Sequence, residues 1–273
     1  MERAKVNGVE LEYEVHGGGE PVLLIDMLLP DSVLPFVSQP ALADHYRLIR
    51  YHKRGWVGST HTTGPVGIGD HASDAAALLD ELGLRRAHIV GHSSGAAIGA
   101  QLALDHPDKV HTLSLLELTF MSLPNGQAFV QGAGPVFGAY ARGDHAAAIA
   151  MFVSAATGMD WETCEAALEK RIPGIVAQAI KDADTFFGVE LPALLAWTFG
   201  SEQAAAIHRP VLSVIGSQTG PVWVEIAELL RSSLPYVEEA AIPGVGHLLQ
   251  MLDPEPVASA VAGFLARNPL NGS

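Results

Sequence analysis

One short segment constrains the fold of this 273-residue chain more than any other. The β-prone residues 87–90 lead into Gly-His-Ser-Ser-Gly at 91–95, and an alanine- and glycine-rich helical pattern follows without a break. A strand, a sharp turn and a helix, with a serine at the turn, are typical of the Gly-x-Ser-x-Gly nucleophile elbow. Glycine is needed because a side chain at Gly91 or Gly95 would collide with the neighbouring strand or helix. The segment predicts Ser93 as an exposed nucleophile; an ordinary β–α turn is the alternative interpretation.

Strand and helix patterns alternate on both sides of this segment. Residues 5–16 predict a hairpin around Asn7-Gly8, and the apolar run 21–25 is typical of a parallel strand buried on both faces. Further strands are predicted at 46–50, 87–90, 110–116, 210–215 and 236–242, and helices at 33–43, 69–82, 94–104, 221–233 and 254–267. Strands that alternate with helices favour an α/β fold, in which helices cover both faces of a mostly parallel sheet.

The alternation stops between residues 118 and 206. This stretch shows no convincing strand pattern, but it contains short helical pieces and several aromatic residues, among them Phe129, Trp161 and Trp197. Because large aromatic side chains need an apolar environment, we predict an inserted helical cap rather than a linker. The predicted organisation is a core built from residues 1–117 and 207–273, with the cap at 118–206.

The composition limits the partners of the chain. Its formal net charge is −14, so neither nucleic acid nor a membrane is an expected partner, since nucleic acid and anionic membranes both bind basic faces. No apolar run approaches the length of a membrane span, and the N-terminal residues lack the apolar stretch of a signal peptide. The single cysteine, Cys164, excludes an internal disulfide and a cysteine-based metal cluster. We expect a cytoplasmic enzyme with neither metal nor cofactor, and a homodimer is left open as its assembly.

The predicted nucleophile needs a base, because a serine hydroxyl is a weak nucleophile near neutral pH. Twelve histidines are present, and His247 stands in a Gly-x-Gly-His loop after the last predicted strand. From there its ring can lean over the carboxyl edge of the sheet, so we predict His247 as the base. His92 lies inside the elbow itself and is expected to pack or hydrogen-bond there.

The third residue of the predicted triad is a carboxylate that orients His247. Its usual position is the loop after the strand at 210–215, but that loop has Thr219 where an aspartate belongs. Glu117 ends the strand that follows the elbow helix, which is the other position from which a carboxylate can reach the histidine. We therefore predict the triad Ser93–Glu117–His247. The alternative is that Glu117 is a hinge residue of the cap.

Acyl chemistry at Ser93 also needs two N–H donors that stabilise an oxyanion. The backbone N–H of Ser94, at the start of the elbow helix, is predicted to be one of them. The other is expected from the loop after Ile25, either from Met27 or from Leu28.

The chain resembles the α/β-hydrolase superfamily over nearly its full length outside the predicted cap. The resemblance is carried by the elbow at 91–95, by Arg-Gly-Trp-Val-Gly-Ser at 54–59 and by Gly-Val-Gly-His at 244–247. It implies a mostly parallel, eight-stranded sheet with helices on both faces and an inserted helical cap. Two departures from the family are present: its usual His-Gly after the third strand is Asp26-Met27 here, and the acid after the penultimate strand is missing.

Both departures are similar to one branch, the zearalenone-type lactone hydrolases. That branch has an aspartate at the His-Gly position, a Ser-Ser-Gly elbow, a glutamate after the strand that follows the elbow helix and a threonine in place of the late aspartate. The resemblance implies a Ser-Glu-His triad acting on a macrolactone, with a cap tryptophan at the substrate. Trp197 is the expected counterpart of that tryptophan, and Phe187 is a second cap aromatic predicted to bind substrate.

The sequence thus predicts a cofactor-independent serine hydrolase that cleaves an ester or lactone of a small apolar substrate through an acyl-enzyme. The same triad also supports carbon–carbon bond hydrolysis and haloperoxidase-like perhydrolysis, so these activities are alternatives. A non-catalytic ligand-binding protein on the hydrolase fold is an alternative of another class. Since Ser93 is a serine rather than an aspartate, dehalogenase and epoxide hydrolase chemistry are not expected.

Overall fold

Eight strands form one sheet in the computed structural model of the protein, whose described residues are 1–62 and 64–270. The strands are β1 (Glu2–Val6), β2 (Val9–His16), β3 (Glu20–Ile25), β4 (Tyr46–Tyr51), β5 (Ala87–His92), β6 (Val110–Leu116), β7 (Val211–Gly216) and β8 (Val237–Ile242). Their order across the sheet is β1-β2-β4-β3-β5-β6-β7-β8. The pairs β1–β2 and β2–β4 are antiparallel, and all other neighbours are parallel. The predicted eight-stranded, mostly parallel sheet is confirmed.

The predicted opening hairpin is also present. Val6 pairs with Val9, and the two residues between them, Asn7 and Gly8, both have positive φ angles, of 45° and 79°. Two successive left-handed residues form the tight turn that matches the twist of a hairpin, and Asn-Gly is the sequence that adopts it most readily.

Helices connect the strands and fill the long interval between β6 and β7. They are α1 (Leu34–Val37), α2 (Pro40–Ala43), α3 (Ile68–Glu81), α4 (Ser94–Asp105), α5 (Pro124–Gly132), α6 (Gly134–Ala141), α7 (His145–Thr157), α8 (Trp161–Arg171), α9 (Ile175–Lys181), α10 (Ala183–Thr185), α11 (Leu191–Ala196), α12 (Ser201–Ala206), α13 (Pro221–Ser233), α14 (Leu249–Leu252) and α15 (Pro254–Arg267), with a π-helical turn at Phe186–Glu190. In the described part of the chain, no helix combines the length and the apolar character needed to cross a membrane.

The single helix predicted at 33–43 is two short helices instead. The chain is extended at Gln39, with φ −72° and ψ 131°, and α2 starts at the next residue, Pro40. A proline disfavours the helical conformation in the residue before it, because its ring clashes with that residue's backbone. The break therefore follows from Pro40.

The apolar run of β3 shows why helices cover both faces of the sheet. Val22 and Leu24 join one apolar core, against α1, α2 and α15, whereas Leu23 and Ile25 join the other, against α3, α4 and α13. Successive side chains of a strand point to opposite faces, so a strand that is apolar throughout needs cover on both sides.

A helical insertion follows β6 and extends from α5 to α12. Its side chains form a third apolar cluster with residues at the carboxyl edge of the sheet, including Met27, Leu28 and Trp56. The insertion lies within 118–206, and the division into 1–117, 118–206 and 207–273 stays a prediction. Thr63 and residues 271–273 fall within the predicted core segments but lie outside the described residues.

Candidate active site

The elbow forms at the junction of β5 and α4. Ser93 has φ 54° and ψ −116°, a conformation that residues with a side chain rarely adopt. An added Cβ at Gly91 would lie 2.3 Å from the carbonyl oxygen of Gly95, and one at Gly95 would lie 2.2 Å from that of Ile25. Both distances are far inside van der Waals contact, so glycine is required at both positions for the chain to turn so tightly.

The structure brings Ser93, His247 and Glu117 together at the carboxyl edge of the sheet. The Ser93 hydroxyl lies 3.0 Å from Nε2 of His247, and Nδ1 of the same ring lies 2.7 Å from Oε2 of Glu117. Glu117 and His247 are both buried. With the Ser93 hydroxyl donating to Nε2 and the Nδ1–H donating to the carboxylate, the three groups have the arrangement of a nucleophile, a base and an orienting acid.

Glu117 is itself fixed by the loop that lacks the usual aspartate. Its Oε1 accepts a hydrogen bond from the backbone N–H of Gly216 at 2.8 Å, and its Oε2 accepts one from the hydroxyl of Thr219 at 2.8 Å. Thr219 therefore does not take the place of the acid; its hydroxyl holds the carboxylate of Glu117 in position. The sequence shows a threonine at the vacant acid position, but it does not show that this threonine reaches Glu117.

Two further residues support the site, and sequence analysis did not identify either. The indole ring of Trp223 stacks on the ring of His247, with the ring centroids 4.0 Å apart and an interplanar angle of 27°. The indole N–H of Trp223 donates to the hydroxyl oxygen of Thr119 at 2.9 Å, and that oxygen lies 3.1 Å from Oγ of Ser93. Trp223 thus restrains the proposed base directly and the nucleophile through Thr119.

His92 acts as a support, as its place in the elbow predicted. Its Nε2–H donates to the carbonyl oxygen of His247 at 2.7 Å, and its Nδ1 accepts from the side-chain amide of Gln250 at 2.9 Å. Complete burial and the nearby His247 ring lower the pKa of His92 well below its ordinary value. A neutral His92 therefore anchors the backbone of the loop that carries His247.

The predicted oxyanion donors surround Ser93. Met27, Leu28 and Ser94 all line the cavity in front of the serine. Within residues 1–62 and 64–270, no hydrogen bond uses the backbone N–H of any of the three. These donors are therefore available to an oxyanion that forms on a substrate bound there.

Asp26 shapes the loop that carries Met27 and Leu28. The buried carboxylate accepts hydrogen bonds from the Ser32 hydroxyl at 2.6 Å and from the backbone N–H groups of Val33 at 3.1 Å and Asp31 at 3.2 Å. Burial raises the pKa of Asp26 to about 6, although the hydrogen bond from Ser32 opposes the rise. The aspartate at the usual His-Gly position thus folds the oxyanion loop onto itself.

A cavity of about 40 Å³, here called the catalytic chamber, lies above Ser93. That volume holds a few water molecules. The polar groups on its wall come from Ser93, Ser94, Thr119, Thr157 and His247. The rest of the wall is apolar, with Met121, Phe129, Phe152, Phe186, Leu191 and Leu194 as its main cap-side members.

The two aromatic residues predicted to bind substrate do not line the catalytic chamber. Trp197 follows α11, donates from its indole N–H to Gln101 on α4 at 2.7 Å and stacks on Phe199. Phe187 packs against Tyr140 inside the helical insertion, whereas its neighbour Phe186 reaches the chamber. Successive helical residues point in different directions, so only one of the pair can face the serine. Their assignment as substrate-binding residues therefore stays a prediction.

The family model described as the alpha/beta hydrolase fold matches residues 15–254, which is most of the chain. The chain belongs to this family. The resemblance inferred from the elbow and the two glycine-containing loops is thereby confirmed at the level of the family.

This alpha/beta hydrolase is 27% identical over 283 aligned residues to the carbamate hydrolase RutD of Caulobacter vibrioides, an alignment that covers 97% of this chain and 99% of that protein. Other relatives of the same name reach 37% identity, but those alignments cover only 40–44% of their length.

Two solved structures share the fold over almost the whole chain. The enol-lactonase of Burkholderia xenovorans LB400 has a TM-score of 0.80 at 23% identity, with 97% of this chain and 100% of that chain covered. Est816, described as an N-acyl homoserine lactone degrading enzyme, has a TM-score of 0.74 at 25% identity, with 96% and 100% covered.

A buried ion pair lies behind the wall of the catalytic chamber in this alpha/beta hydrolase. Lys53, on the loop after β4, lies 2.7 Å from the carboxylate of Glu190, and both side chains are almost fully buried. The carboxylate also accepts hydrogen bonds from the Ser94 hydroxyl at 2.6 Å and the Trp56 indole at 2.8 Å. Burial acts to raise the pKa of Glu190, but the charge and hydrogen bonds of Lys53 hold it below its ordinary value.

This ion pair connects three parts of the site. Glu190 belongs to the π-helical turn of the insertion, Ser94 begins the elbow helix, and Lys53 donates to the carbonyl oxygen of Met27 at 3.4 Å. No sequence pattern indicates this arrangement, because Lys53 and Glu190 are far apart along the chain and neither belongs to a recognisable motif.

Proposed function

We propose that this alpha/beta hydrolase cleaves a carboxylic ester or lactone of a neutral, apolar substrate, with Ser93 as nucleophile and without a cofactor. The observation that supports the proposal is the unbroken hydrogen-bonded series from Ser93 through His247 to Glu117, which opens into an apolar chamber. A serine nucleophile with an adjacent base and oxyanion donors is suited to attack on a carbonyl carbon.

The proposed reaction has two steps. His247 Nε2 accepts the proton of the Ser93 hydroxyl while the serine oxygen bonds to the carbonyl carbon, and the N–H groups of Ser94 and of Met27 or Leu28 stabilise the oxyanion. His247 then gives its proton to the leaving alcohol, and the bond from carbon to the alcohol oxygen breaks. A water molecule, deprotonated by His247, hydrolyses the acyl-enzyme and regenerates Ser93.

The chamber wall supports a neutral substrate. Among the described residues that line it, His247 is the only one with a side chain that can carry a positive charge. A substrate carboxylate would lose its hydration there without gaining a partner, which is strongly unfavourable. The net charge of −14 also opposes the approach of anions.

The comparisons support a carbonyl substrate but leave its class to experiment. The lactone-degrading enzyme Est816, at 25% identity, favours a lactone. The relative named carbamate hydrolase RutD, at 27% identity over nearly the full length, makes a carbamate the second candidate, since a carbamate presents the same carbonyl to the serine. A macrolactone such as zearalenone is larger than the chamber, so its binding would require the insertion to move outward.

The test is turnover of a short aryl ester, a homoserine lactone, zearalenone and an aryl carbamate. The proteins assayed are the wild type, three variants of the site and two control variants. We expect Ser93→Ala and Glu117→Gln each to lower kcat by at least ~1000-fold on the accepted substrates. Thr219→Val removes one hydrogen bond to Glu117 and should lower kcat by roughly 10-fold. Ser232→Ala and Glu228→Gln, at exposed positions of α13, are the matched controls and should retain full activity.

Each other outcome points to a specific alternative. A fully active Glu117→Gln variant would show that the acid lies elsewhere. A wild type that binds these compounds without turnover would favour a ligand-binding protein. A wild type inert towards all of them, but active on a vinylogous diketone or in peracid formation, would favour carbon–carbon hydrolysis or perhydrolysis on the same triad.

A further inference from the structure

An apolar groove in the helical insertion adjoins the catalytic chamber. Here called the α5–α7 groove, it has a volume of about 220 Å³ and lies between α5, α6 and α7. Small side chains line most of it, those of Ala128, Gly132, Ala133 and Ala155. The groove carries no charged or polar side chain among its described lining residues, so its surface suits a hydrocarbon chain.

Phe129 and Phe152 line both the chamber and the groove, and they form the partition between the two. Their rings meet edge to face, with centroids 6.2 Å apart and an interplanar angle of 89°. Both side chains are only half-buried. The Phe152 ring also packs edge to face against Phe186, with the centroids 4.8 Å apart. Rotation of the Phe129 or Phe152 ring would join the two spaces.

A second cavity adjoins the chamber, and its wall includes the proposed base His247. It shares Thr157, His247 and Leu248 with the chamber and has a volume of about 220 Å³. Since the leaving alcohol takes its proton from His247, we assign the alcohol to the cavity that shares this residue. The acyl group, bonded to Ser93, is then left to face the partition.

We infer that the α5–α7 groove binds the distal part of the substrate's acyl chain, and that Phe129 and Phe152 determine the chain length at which this groove is needed. The inference rests on the proposed function. The occupant is assigned by the two phenylalanines that the groove shares with the chamber, by the uncharged wall of the groove and by the assignment of the alcohol to the cavity that includes His247. Short acyl groups fit the chamber alone, whereas longer aliphatic chains require the rings to turn.

The experiment is a series of p-nitrophenyl esters from acetate to dodecanoate, assayed on purified full-length protein. In Phe152→Ala the partition is open, and we expect the ratio of kcat/KM for octanoate to that for acetate to rise by at least ~10-fold, since each methylene that gains an apolar site contributes to binding. Phe129→Leu, a milder change, should shift the ratio in the same direction. Phe137→Ala removes a cap phenylalanine that lines neither space and is the matched control.

A variant that fills the groove tests the site itself. Ala155 is exposed and lines only the groove, so Ala155→Trp in the wild type and in Phe152→Ala should lower octanoate turnover but leave acetate turnover unchanged. An unchanged chain-length profile in both Phe variants would refute the inference. A second series of alkyl acetates varies the alcohol and keeps the acyl group constant. A change of chain-length preference in this series alone would also refute the inference. Loss of acetate turnover in Ser93→Ala, measured in parallel, tests the proposed function separately.

Discussion

At the scale of single residues, Glu117 shows how the site accommodates an acid in an uncommon place. Its φ angle is 46°, and it directly follows β6, the strand next to the elbow strand. Ser93, at the end of β5, has a similarly unfavourable φ of 54°. Strained residues persist only where the surroundings fix them, and such strain is concentrated at functional sites. Two adjacent strand ends thus present the proposed nucleophile and the proposed acid side by side.

Asp26 makes the stability of the protein depend on pH. Its pKa is raised from 3.8 to about 6, mainly because burial disfavours the charged carboxylate. The folded state therefore binds the proton more tightly than the unfolded state does, which stabilises the fold below about pH 4, and this stabilisation is lost as the pH rises through about 6. In an Asp26→Asn variant the side-chain amide at this position does not titrate.

We therefore expect the free energy of unfolding of the wild type, relative to that of Asp26→Asn, to fall by about 2 kcal/mol between about pH 4 and pH 7. Urea unfolding of both proteins across this range measures the difference. If the difference in free energy of unfolding between the two proteins were the same at every pH, the raised pKa of Asp26 would be contradicted. The absolute size of that difference does not matter for this test.

Several residues of the site could be predicted from the sequence, and the reason is local. Ser93 and His247 stand in short glycine-containing motifs next to strands, and Glu117 follows from the empty acid position at Thr219. Trp223, Thr119 and Glu190 could not be predicted in this way. Their roles come from contacts between segments that only the complete fold brings together, and no neighbouring residues mark them.

At the scale of the elements, the strands were predictable because apolar runs and turn residues bound them. The insertion was harder to predict, because its helices are short, rich in alanine and packed against one another more than against the sheet. The π-helical turn at Phe186–Glu190 adds to the difficulty. It changes the direction of the side chains that follow, so helical periodicity alone could not show that Phe186 rather than Phe187 faces the chamber.

The buried pair of Lys53 and Glu190 links that π-helical turn to the elbow helix. Removal of one partner leaves the other charge buried and uncompensated, so we expect Lys53→Met and Glu190→Met each to lower the free energy of unfolding by about 3–5 kcal/mol. The double variant leaves no uncompensated charge. It should therefore be destabilised by less than the sum, with a coupling of at least about 2 kcal/mol.

A double-mutant cycle from urea unfolding measures this coupling. The exposed pair of Arg231 and Glu239 provides the matched control, for which we expect almost no coupling because water screens both charges. Additive effects of the Lys53 and Glu190 substitutions would show that the two side chains do not act as a pair.

At the scale of the whole molecule, net charge and chamber polarity act in the same direction. A substrate with a carboxylate at the end of its acyl chain must approach a protein of net charge −14. The carboxylate must then enter the apolar catalytic chamber. We expect p-nitrophenyl butyrate to be hydrolysed with a kcat/KM at least ~100-fold above that of mono-p-nitrophenyl succinate, which differs by a terminal carboxylate.

In the same assay, added salt distinguishes the charge repulsion from the loss of hydration of the carboxylate. Added salt screens the long-range repulsion and should raise kcat/KM for the succinate ester only, whereas the part due to loss of hydration stays. Equal rates for the two esters would indicate that a cationic group of the protein reaches the acyl chain.

The position of Glu117 also limits how the helical insertion can be exchanged between related proteins. In a relative whose acid follows the penultimate strand, a graft could replace the whole insertion and leave the triad intact. Here the insertion begins directly after Glu117, and Thr119, two residues into it, contacts Ser93. A chimaera must therefore keep the native chain through Thr119 and must also provide a carboxylate to pair with Lys53. An exchange of the insertion that keeps neither group is thus expected to lose activity.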